Sequence, residues 1–287
     1  MFEGFQNKQI TTPTATINLV QGGTGEPVLL LHGYPQTHVC WHRVAPVLAE
    51  RFTVVCSDLR GCGDSSKPAG DPEHLNYSKR TMAQDQVEVM QALGFQKFAI
   101  VGHDRGARVA HRLALDHTDK VTKLALLDII PTSVAFERVD KEMATAAFNW
   151  FFSIQPDNLP ERLIGAQPVF YLRWLLDHWA GTKGALAEEA VAEYERCFDG
   201  DTIRATCEEF RAAASIDLVH DESDKSSRLA CPTLVLWSAI SMWAKHDILN
   251  VWRARVRDVQ GFALDCGHFL PEEDPERTIS ELIRFLT

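Results

Sequence analysis

Residues Val101–Arg108 read VGHDRGAR and follow the apolar residues FAI. An apolar run that ends in a Gly-x-Asp-x-Gly turn predicts a buried strand, a sharp bend and then a helix. Gly102 and Gly106 fit this bend because side chains at these two positions would collide with neighbouring backbone. Asp104 then stands at the tip of the bend, where its ionised carboxylate can attack an sp³ carbon. The alternative is an ordinary N-cap for the helix that follows.

The chain around this turn alternates between short apolar runs and helical patterns. The runs in the first half are PVLLLHG, FTVVCSDLRG, KFAIVGHD and VTKLALLDII, and two more, CPTLVLWS and VQGFALDCGH, occur near the end. Their continuous hydrophobicity indicates strands buried on both faces, as in a parallel sheet covered by helices. A final helix is predicted after Asp274 as N-cap, with Pro275 at its first position. The pattern predicts an α/β fold with a mostly parallel sheet flanked by helices.

One long segment interrupts this alternation. Residues 134–217 are rich in Trp, Phe and helix-forming residues and contain no β-branched run typical of a strand. We therefore predict a core domain formed by residues 1–133 and 218–287. An inserted helical cap formed by residues 134–217 would cover it.

Asp104 has candidate catalytic partners at the ends of two later strands. Asp128 follows the run LALL, and His268 follows LDCG, so the chain order is nucleophile, acid, histidine, which is one of the known orders of a catalytic triad. An alkyl ester on Asp104 would need a water molecule deprotonated by His268, with Asp128 fixing the imidazole tautomer. Asp247 is the alternative acid, because other proteins of this fold carry theirs in that region.

Two backbone N–H groups are candidates for an oxyanion hole. Negative charge on the carbonyl oxygen of an Asp104 ester calls for preorganised donors. Tyr34 lies in the loop LLLHGYPQ, and Arg105 directly follows the nucleophile. We expect the N–H groups of Tyr34 and Arg105 to point at that oxygen. A tight turn after a strand is the alternative explanation of the His-Gly pair in this loop.

Composition limits the classes of partner. Acidic residues outnumber basic residues by 39 to 29, the formal net charge is −10 and no Lys/Arg-rich block occurs, which argues against nucleic acid. Seven scattered cysteines form no CxxC pair, which argues against a disulfide framework and a zinc site. The first residues, MFEGFQNKQI, show no basic segment followed by an apolar one, as a signal peptide would, and no apolar run has membrane-spanning length. We expect a cytoplasmic protein that needs no metal or cofactor, binds no membrane and acts on a small molecule.

The sequence resembles the α/β-hydrolase superfamily and, within it, the haloacetate (fluoroacetate) dehalogenases. The resemblance spans nearly the whole chain and rests on LLLHGYPQ, VVCSDLRGCGDSSKP, VGHDRGAR, LDIIPT, CEEFRAAASID and GHF. Similar haloalkane dehalogenases and epoxide hydrolases usually have Trp after the nucleophile, whereas here Arg105 follows it. The resemblance implies that Arg105 and Arg108 bind the carboxylate of the substrate, and it suggests a homodimer.

The resemblance also implies a halide site in the cap, formed here by Asn149 and Trp150. The family has His where this chain has Asn149, and Tyr where it has Phe210. An amide N–H can donate to a leaving halide, but a phenyl ring cannot. Because fluoride is a poor leaving group that needs strong donors, we expect chloro- and bromoacetate to be cleaved more readily than fluoroacetate.

The reaction implied is hydrolysis of a short 2-haloacid to the 2-hydroxy acid and halide through an ester on Asp104. An epoxide hydrolase using the same Asp104, His268 and Asp128 is the main alternative. Tyr171 and Tyr194 would then protonate the epoxide oxygen, although that chemistry has no use for the two arginines. A non-catalytic binding module is a third possibility, and the retention of all three catalytic groups argues against it.

Overall fold

An eight-stranded sheet lies at the centre of the protein, for which the computed structural model describes all residues from Met1 to Thr287. The strands are β1 (Gln6–Thr11), β2 (Thr16–Gly22), β3 (Pro27–Leu31), β4 (Thr53–Ser57), β5 (Phe98–His103), β6 (Val121–Leu127), β7 (Thr233–Ser238) and β8 (Val259–Leu264). Their order across the sheet is β1-β2-β4-β3-β5-β6-β7-β8. The pairs from β4 to β8 are parallel, and the pairs β1–β2 and β2–β4 are antiparallel. The predicted mostly parallel sheet is confirmed.

Strands β3 to β8 coincide with the six apolar runs of the sequence. Every residue of β4 and β5 is buried, which is the two-sided burial that continuous hydrophobicity predicts. The strands β1 and β2 were not predicted. β1 has the polar sequence QNKQIT and lies at the edge of the sheet, where every one of its residues keeps some solvent exposure, so it has no apolar run to reveal it.

Helices connect the parallel strands and pack on the sheet. Helix α3 (Asp104–Asp116) begins at the bend after β5. It packs on β5, on β6 and on the preceding helix α2 (Lys79–Ala92). The side chain of Asp274 accepts a hydrogen bond from Arg277 N at 3.2 Å, which confirms the predicted N-cap of the last helix. The helices outside the β6–β7 connection are α1 (Ala45–Leu48), α2 (Lys79–Ala92), α3 (Asp104–Asp116), α12 (Ile248–Arg253), α13 (Leu270–Glu273) and α14 (Pro275–Leu286), with 3-10 turns at His38–Trp41 and Leu75–Tyr77.

The connection between β6 and β7 contains helices only. These are α4 (Thr132–Glu137), α5 (Lys141–Ala146), α6 (Phe148–Phe152), α7 (Leu159–Ala166), α8 (Pro168–Trp179), α9 (Glu188–Cys197), α10 (Gly200–Ala213) and α11 (Ile216–Ser223). The cap limits predicted from the sequence, 134 and 217, fall inside α4 and α11. The division of the chain into core and cap stays a prediction.

The helices and the cysteines differ from what a membrane span or a disulfide would require. None of the helices combines the length and the apolar character required to cross a membrane. All seven cysteines are free thiols, and five of them are buried.

Candidate active site

The bend between β5 and α3 presents Asp104 with φ +46°, in the left-handed region that few residues other than glycine adopt. A Cβ on Gly102 would lie 2.5 Å from Ala107 Cα, and one on Gly106 would collide with the carbonyl oxygen of His32. Glycine is therefore required at both flanking positions, as the sequence predicts. The bend holds the Asp104 carboxylate at the carboxyl end of the sheet, where ligands bind in open α/β folds.

His268 lies between two carboxylates. Its Nδ1–H donates to Asp128 Oδ2 at 2.7 Å, and its Nε2 is 3.9 Å from Asp104 Oδ2. The other oxygen of Asp128 accepts a hydrogen bond from Ser238 N at 3.1 Å. Asp247, the alternative acid, is exposed and caps the N-terminus of α12. Of the two candidate acids, Asp128 is the one in contact with His268.

The charges in this group set the protonation states that the chemistry needs. Burial acts to raise the pKa of Asp104, but the charge of His268 and a hydrogen bond from Tyr34 N are among the effects that bring it below its ordinary value. Burial acts to lower the pKa of His268, but the hydrogen bond and charge of Asp128 raise it overall. Asp104 is therefore ionised at neutral pH and suited to act as a nucleophile.

A backbone donor already contacts the nucleophile. Tyr34 N donates to Asp104 Oδ1 at 2.9 Å, and Gly33 permits this approach because a Cβ there would lie 2.5 Å from Asp104 Cβ. Arg105 N–H lies in the first turn of α3, where backbone N–H groups have no partner within the helix. Since Oδ1 is held by Tyr34 N, Oδ2 is the oxygen left to attack a substrate.

His103 is a site residue that the sequence did not single out. Its Nε2–H donates to the carbonyl oxygen of His268 at 2.7 Å, and the two rings lie 4.7 Å apart. Burial, followed by the charge of His268, lowers the pKa of His103 to about 4, so the ring is neutral. His103 thus holds the backbone of the loop that carries the catalytic imidazole. The sequence gives no signal for this contact, because its two partners are far apart in the chain.

Arg105 is paired with a carboxylate. Its Nε donates to the two carboxylate oxygens of Glu209 at 2.6 and 2.8 Å, and Nη2 donates to the Glu209 carbonyl at 3.2 Å. Lys79 Nζ forms ion pairs with both Glu209 and Asp217. Only Nη1 of Arg105 is left buried and without a partner. Arg105 does not line the cavity that contains the Asp104 carboxylate. Its role in binding substrate stays a prediction.

Arg108 has no carboxylate partner. Its Nη1 donates to Thr132 Oγ1 at 2.9 Å and to the Ile130 carbonyl at 3.2 Å, whereas Nε and Nη2 are buried and unpartnered. Its guanidinium carbon lies 4.8 Å from the centre of a Trp150 ring. Burial, followed by the charge of Arg105, lowers the pKa of Arg108 to about 10. A buried cation with free donors is a binding site for an anion.

One cavity of about 180 Å³ brings most of the predicted residues together. The predicted site residues that line it are Asp104, Arg108, Asp128, Asn149, Trp150 and His268. Tyr34 and Arg105 are not among its lining residues. Ile240, Met242 and Trp243 also line it, and they come from a segment after β7 that carries no motif in the sequence.

Both predicted halide ligands lie at the cavity. Asn149 and Trp150 line it, and both amide atoms of Asn149 are buried without a partner. Phe210, which stands where the family has Tyr, does not line the cavity, and its ring centre lies 4.3 Å from the guanidinium carbon of Arg105. Asn149 and Trp150 can therefore contact a leaving group in this cavity.

The two phenols considered for epoxide opening lie outside the cavity lining. The Tyr194 hydroxyl donates to Glu272 Oε2 at 3.0 Å, and the Tyr171 hydroxyl is buried without a partner. No group of three or more His, Cys, Asp or Glu side chains is placed to hold a metal ion.

Comparisons with known proteins agree with this geometry. The family model for the alpha/beta hydrolase fold matches residues 26–275. A fluoroacetate dehalogenase from Burkholderia sp is 45% identical over all of this chain and 95% of its own, and a soluble epoxide hydrolase from Corynebacterium sp. (strain C12) is 34% identical over 96% and 97%. A crystal structure from Nostoc sp PCC 7120, classed as an alpha/beta hydrolase, is 58% identical and superposes with a TM-score of 0.99, covering 100% of this chain and 99% of that one.

Proposed function

The chain belongs to the α/β-hydrolase family, and from this premise we propose that it is a haloacetate dehalogenase, an enzyme that hydrolyses the carbon–halogen bond of a short 2-haloacid. One observation carries the proposal: an ionised nucleophile, Asp104, and an unpaired buried cation, Arg108, line the same cavity. A substrate that carries both an electrophilic carbon and a carboxylate matches this pair. The fluoroacetate dehalogenase at 45% identity supports the same reaction.

The first step is displacement of the halide. The substrate carboxylate binds Nε and Nη2 of Arg108, with Nη1 of Arg105 as a further donor. Asp104 Oδ2 then attacks the α carbon, so that a carbon–oxygen bond forms as the carbon–halogen bond breaks, with inversion at that carbon. The halide leaves towards the N–H groups of Trp150 and Asn149. Fixing the carboxylate orients the α carbon at the nucleophile and lowers the entropic cost of the reaction.

The second step is hydrolysis of the Asp104 ester. The 3.9 Å between His268 Nε2 and Asp104 Oδ2 brings the base within reach of a water molecule that attacks the ester carbonyl carbon. His268 takes the proton of this water, and the N–H groups of Tyr34 and Arg105 stabilise the oxyanion on Oδ1. Collapse releases the 2-hydroxy acid, whose alkoxide takes the proton back from His268. The oxygen of the water stays in Asp104.

A halide-release assay with purified protein tests this function. Chloroacetate and bromoacetate should release halide faster than fluoroacetate, because fluoride needs strong donors and, of the positions considered for the halide site, only Asn149 and Trp150 line the cavity. The variant Asp104→Asn should release none from any of the three. No halide from any haloacetate with the native protein would overturn the proposal. Fluoride release as fast as chloride release would show that Trp150 and Asn149 are sufficient donors.

Epoxide hydrolysis is the second candidate function, and the Corynebacterium relative favours it. It needs an acid that protonates the leaving oxygen, yet neither Tyr171 nor Tyr194 lines the cavity. We therefore place it behind dehalogenation. Formation of a diol from styrene oxide, without halide release from haloacetates, would reverse this order.

We also propose a cytoplasmic location and a small-molecule substrate, with neither nucleic acid nor membrane as partner. The seven free thiols support a reducing compartment, and the net charge of −10 argues against binding nucleic acid. The resemblance to the dehalogenase family suggests a homodimer, which sedimentation equilibrium of the purified protein would detect.

A further inference from the structure

The main cavity is larger than a haloacetate requires. Its volume of about 180 Å³ exceeds the roughly 150 Å³ of an apolar cavity that binds benzene. A haloacetate is smaller than benzene. The displacement mechanism therefore leaves part of this space without a ligand group.

The unused space is bounded by apolar side chains. Ile240, Met242 and Trp243 form one part of the wall, and Ala146 and Ala180 extend it. Trp243 is buried and packs against Trp150, with their ring centres 6.1 Å apart. The apolar lining is thus continuous with the ring that stacks on Arg108.

The charged groups fix how a ligand can use this space. Arg108 holds the carboxylate, and Asp104 Oδ2 attacks the α carbon on the side opposite the halide. These three requirements leave only the α-hydrogen positions of a haloacetate free. A substituent at one of these positions can extend towards the wall that carries no charge.

We propose that the protein accepts 2-haloacids with an apolar group on the α carbon, such as a phenyl ring or a branched alkyl chain, and that Met242 and Trp243 contact this group. The inference rests on the proposed dehalogenation and specifies its substrate class. Burial of the apolar group against this wall provides binding energy that a haloacetate cannot use.

The cavity also opens to a surface groove through which a substituted acid can enter. Ala146 and His178 line both the cavity and an open surface groove, so they mark the mouth between the two. His178 stacks on Trp174 with ring centres 4.5 Å apart. The groove contains Lys141 together with Asp140 and Glu142, and Lys245 forms ion pairs with these two carboxylates. A substituted acid therefore has a route to the site between an apolar side chain and an aromatic ring.

Inhibition by acids that carry no halogen tests the binding part of this inference in the native protein. Acetate, isovalerate and phenylacetate should compete with chloroacetate, and the inhibition constant of phenylacetate should be at least about tenfold below that of acetate. Equal inhibition by acetate and phenylacetate would overturn the inference. It would leave dehalogenation of chloroacetate untouched.

A pair of variants tests the wall itself. Met242→Ala should lower kcat/KM for chloro(phenyl)acetate about tenfold and change kcat/KM for chloroacetate less than threefold. The matched control Met143→Ala removes the same atoms from a buried methionine that does not line the cavity, and it should not discriminate between the two acids. Equal effects of Met242→Ala on both acids would contradict the inference. No halide from either acid with the native protein would overturn the proposed function as well.

Discussion

Arg105 and Arg108 lie three residues apart on the first turns of one helix, and both are buried, yet their surroundings are opposite. Arg105 is held by the Glu209 carboxylate, with Lys79 and Asp217 behind it. Arg108 meets only the neutral oxygens of a carbonyl and a hydroxyl, and two of its nitrogens have no partner. The charge of Arg105 is compensated within the protein, whereas that of Arg108 is available to a ligand.

This difference determines the charge of the site. Asp104 and Arg108 face the cavity with opposite charges, while the buried group around Glu209 is neutral as a whole. A substrate carboxylate then brings a second negative charge close to Asp104. An uncompensated Arg108 is what makes that approach favourable, since a buried cation without a partner is costly until an anion binds.

The largest predicted effect separates the two arginines by activity. Arg108→Gln should lower kcat/KM for chloroacetate by about 10²–10³-fold, because it removes a charge-assisted contact to a buried carboxylate. It should lower the melting temperature less than Arg105→Gln does, since Arg108 loses only its hydrogen bonds to Thr132 and Ile130 and no protein carboxylate loses its partner. Steady-state kinetics and calorimetry measure both. A smaller activity loss in Arg108→Gln than in Arg105→Gln would reverse the assignment of roles.

The second prediction separates the two arginines by their contribution to the free energy of unfolding. Glu209→Gln removes the carboxylate that compensates Arg105 and Lys79, so the free energy of unfolding should fall by about 3 kcal/mol. kcat/KM should fall less than tenfold, because Arg108 keeps its position. Urea denaturation followed by fluorescence gives the first quantity. Unchanged stability in this variant would show that the group around Glu209 is not a structural ion-pair cluster.

The pH dependence of KM tests the free cation directly. Burial and the charge of Arg105 act to lower the pKa of Arg108, but a guanidinium keeps its proton throughout the working pH range of a protein. KM for chloroacetate should therefore change less than about threefold between about pH 7 and pH 9. A KM that rises about tenfold per pH unit in this range would mean that the carboxylate binds a group that loses its proton there, and it would contradict the assignment to Arg108.

The decrease of kcat at low pH reports on the protonation of His268. His268 must be neutral to deprotonate water, and Asp128 raises its pKa above the ordinary value, so kcat should fall as the pH drops below a midpoint above 6.5. Asp128→Asn should move this midpoint to lower pH and also reduce kcat. A midpoint that does not move in the variant would contradict the pairing of Asp128 with His268.

The smallest effect extends the comparison to two buried glutamates. Burial raises the pKa of Glu272 to about 8, although hydrogen bonds from Tyr194 and Gln36 and the charge of Arg43 act to lower it. Arg105 and Lys79, in contrast, lower the pKa of Glu209 overall although burial opposes them.

Because the folded state of Glu272 binds its proton more tightly than the unfolded state, its contribution to stability is full below about pH 4.5 and declines up to about pH 8. Glu272→Gln should therefore raise the free energy of unfolding at pH 9 and leave it nearly unchanged at pH 4. Thermal unfolding at the two pH values measures the difference. Equal changes at both would argue against a neutral Glu272.

Much of this fold is encoded in local patterns. The parallel strands are continuous apolar runs, and the glycines around Asp104 follow from the sharpness of one bend. Asp128 and His268 could be predicted because the carboxyl ends of parallel strands meet at one edge of the sheet. The edge strand β1 escaped prediction because its residues are polar and partly exposed.

The roles of the two arginines could not be separated from the sequence. Arg105 and Arg108 look alike in VGHDRGAR, and the difference between them comes from Glu209, which lies in a distant helix and reaches Arg105 only through the tertiary fold. The apolar wall at Met242 and Trp243 was missed for a related reason. Its segment carries no periodic pattern, and only its place above the cavity gives it a role.

The most direct test of covalent attack by Asp104 is a single turnover with excess enzyme in water enriched in heavy oxygen. The mechanism predicts that the first 2-hydroxy acid carries no label and that the peptide containing Asp104 gains one labelled oxygen, both measured by mass spectrometry. A labelled first product with an unlabelled Asp104 would mean that water attacks the substrate directly, and it would contradict the ester mechanism.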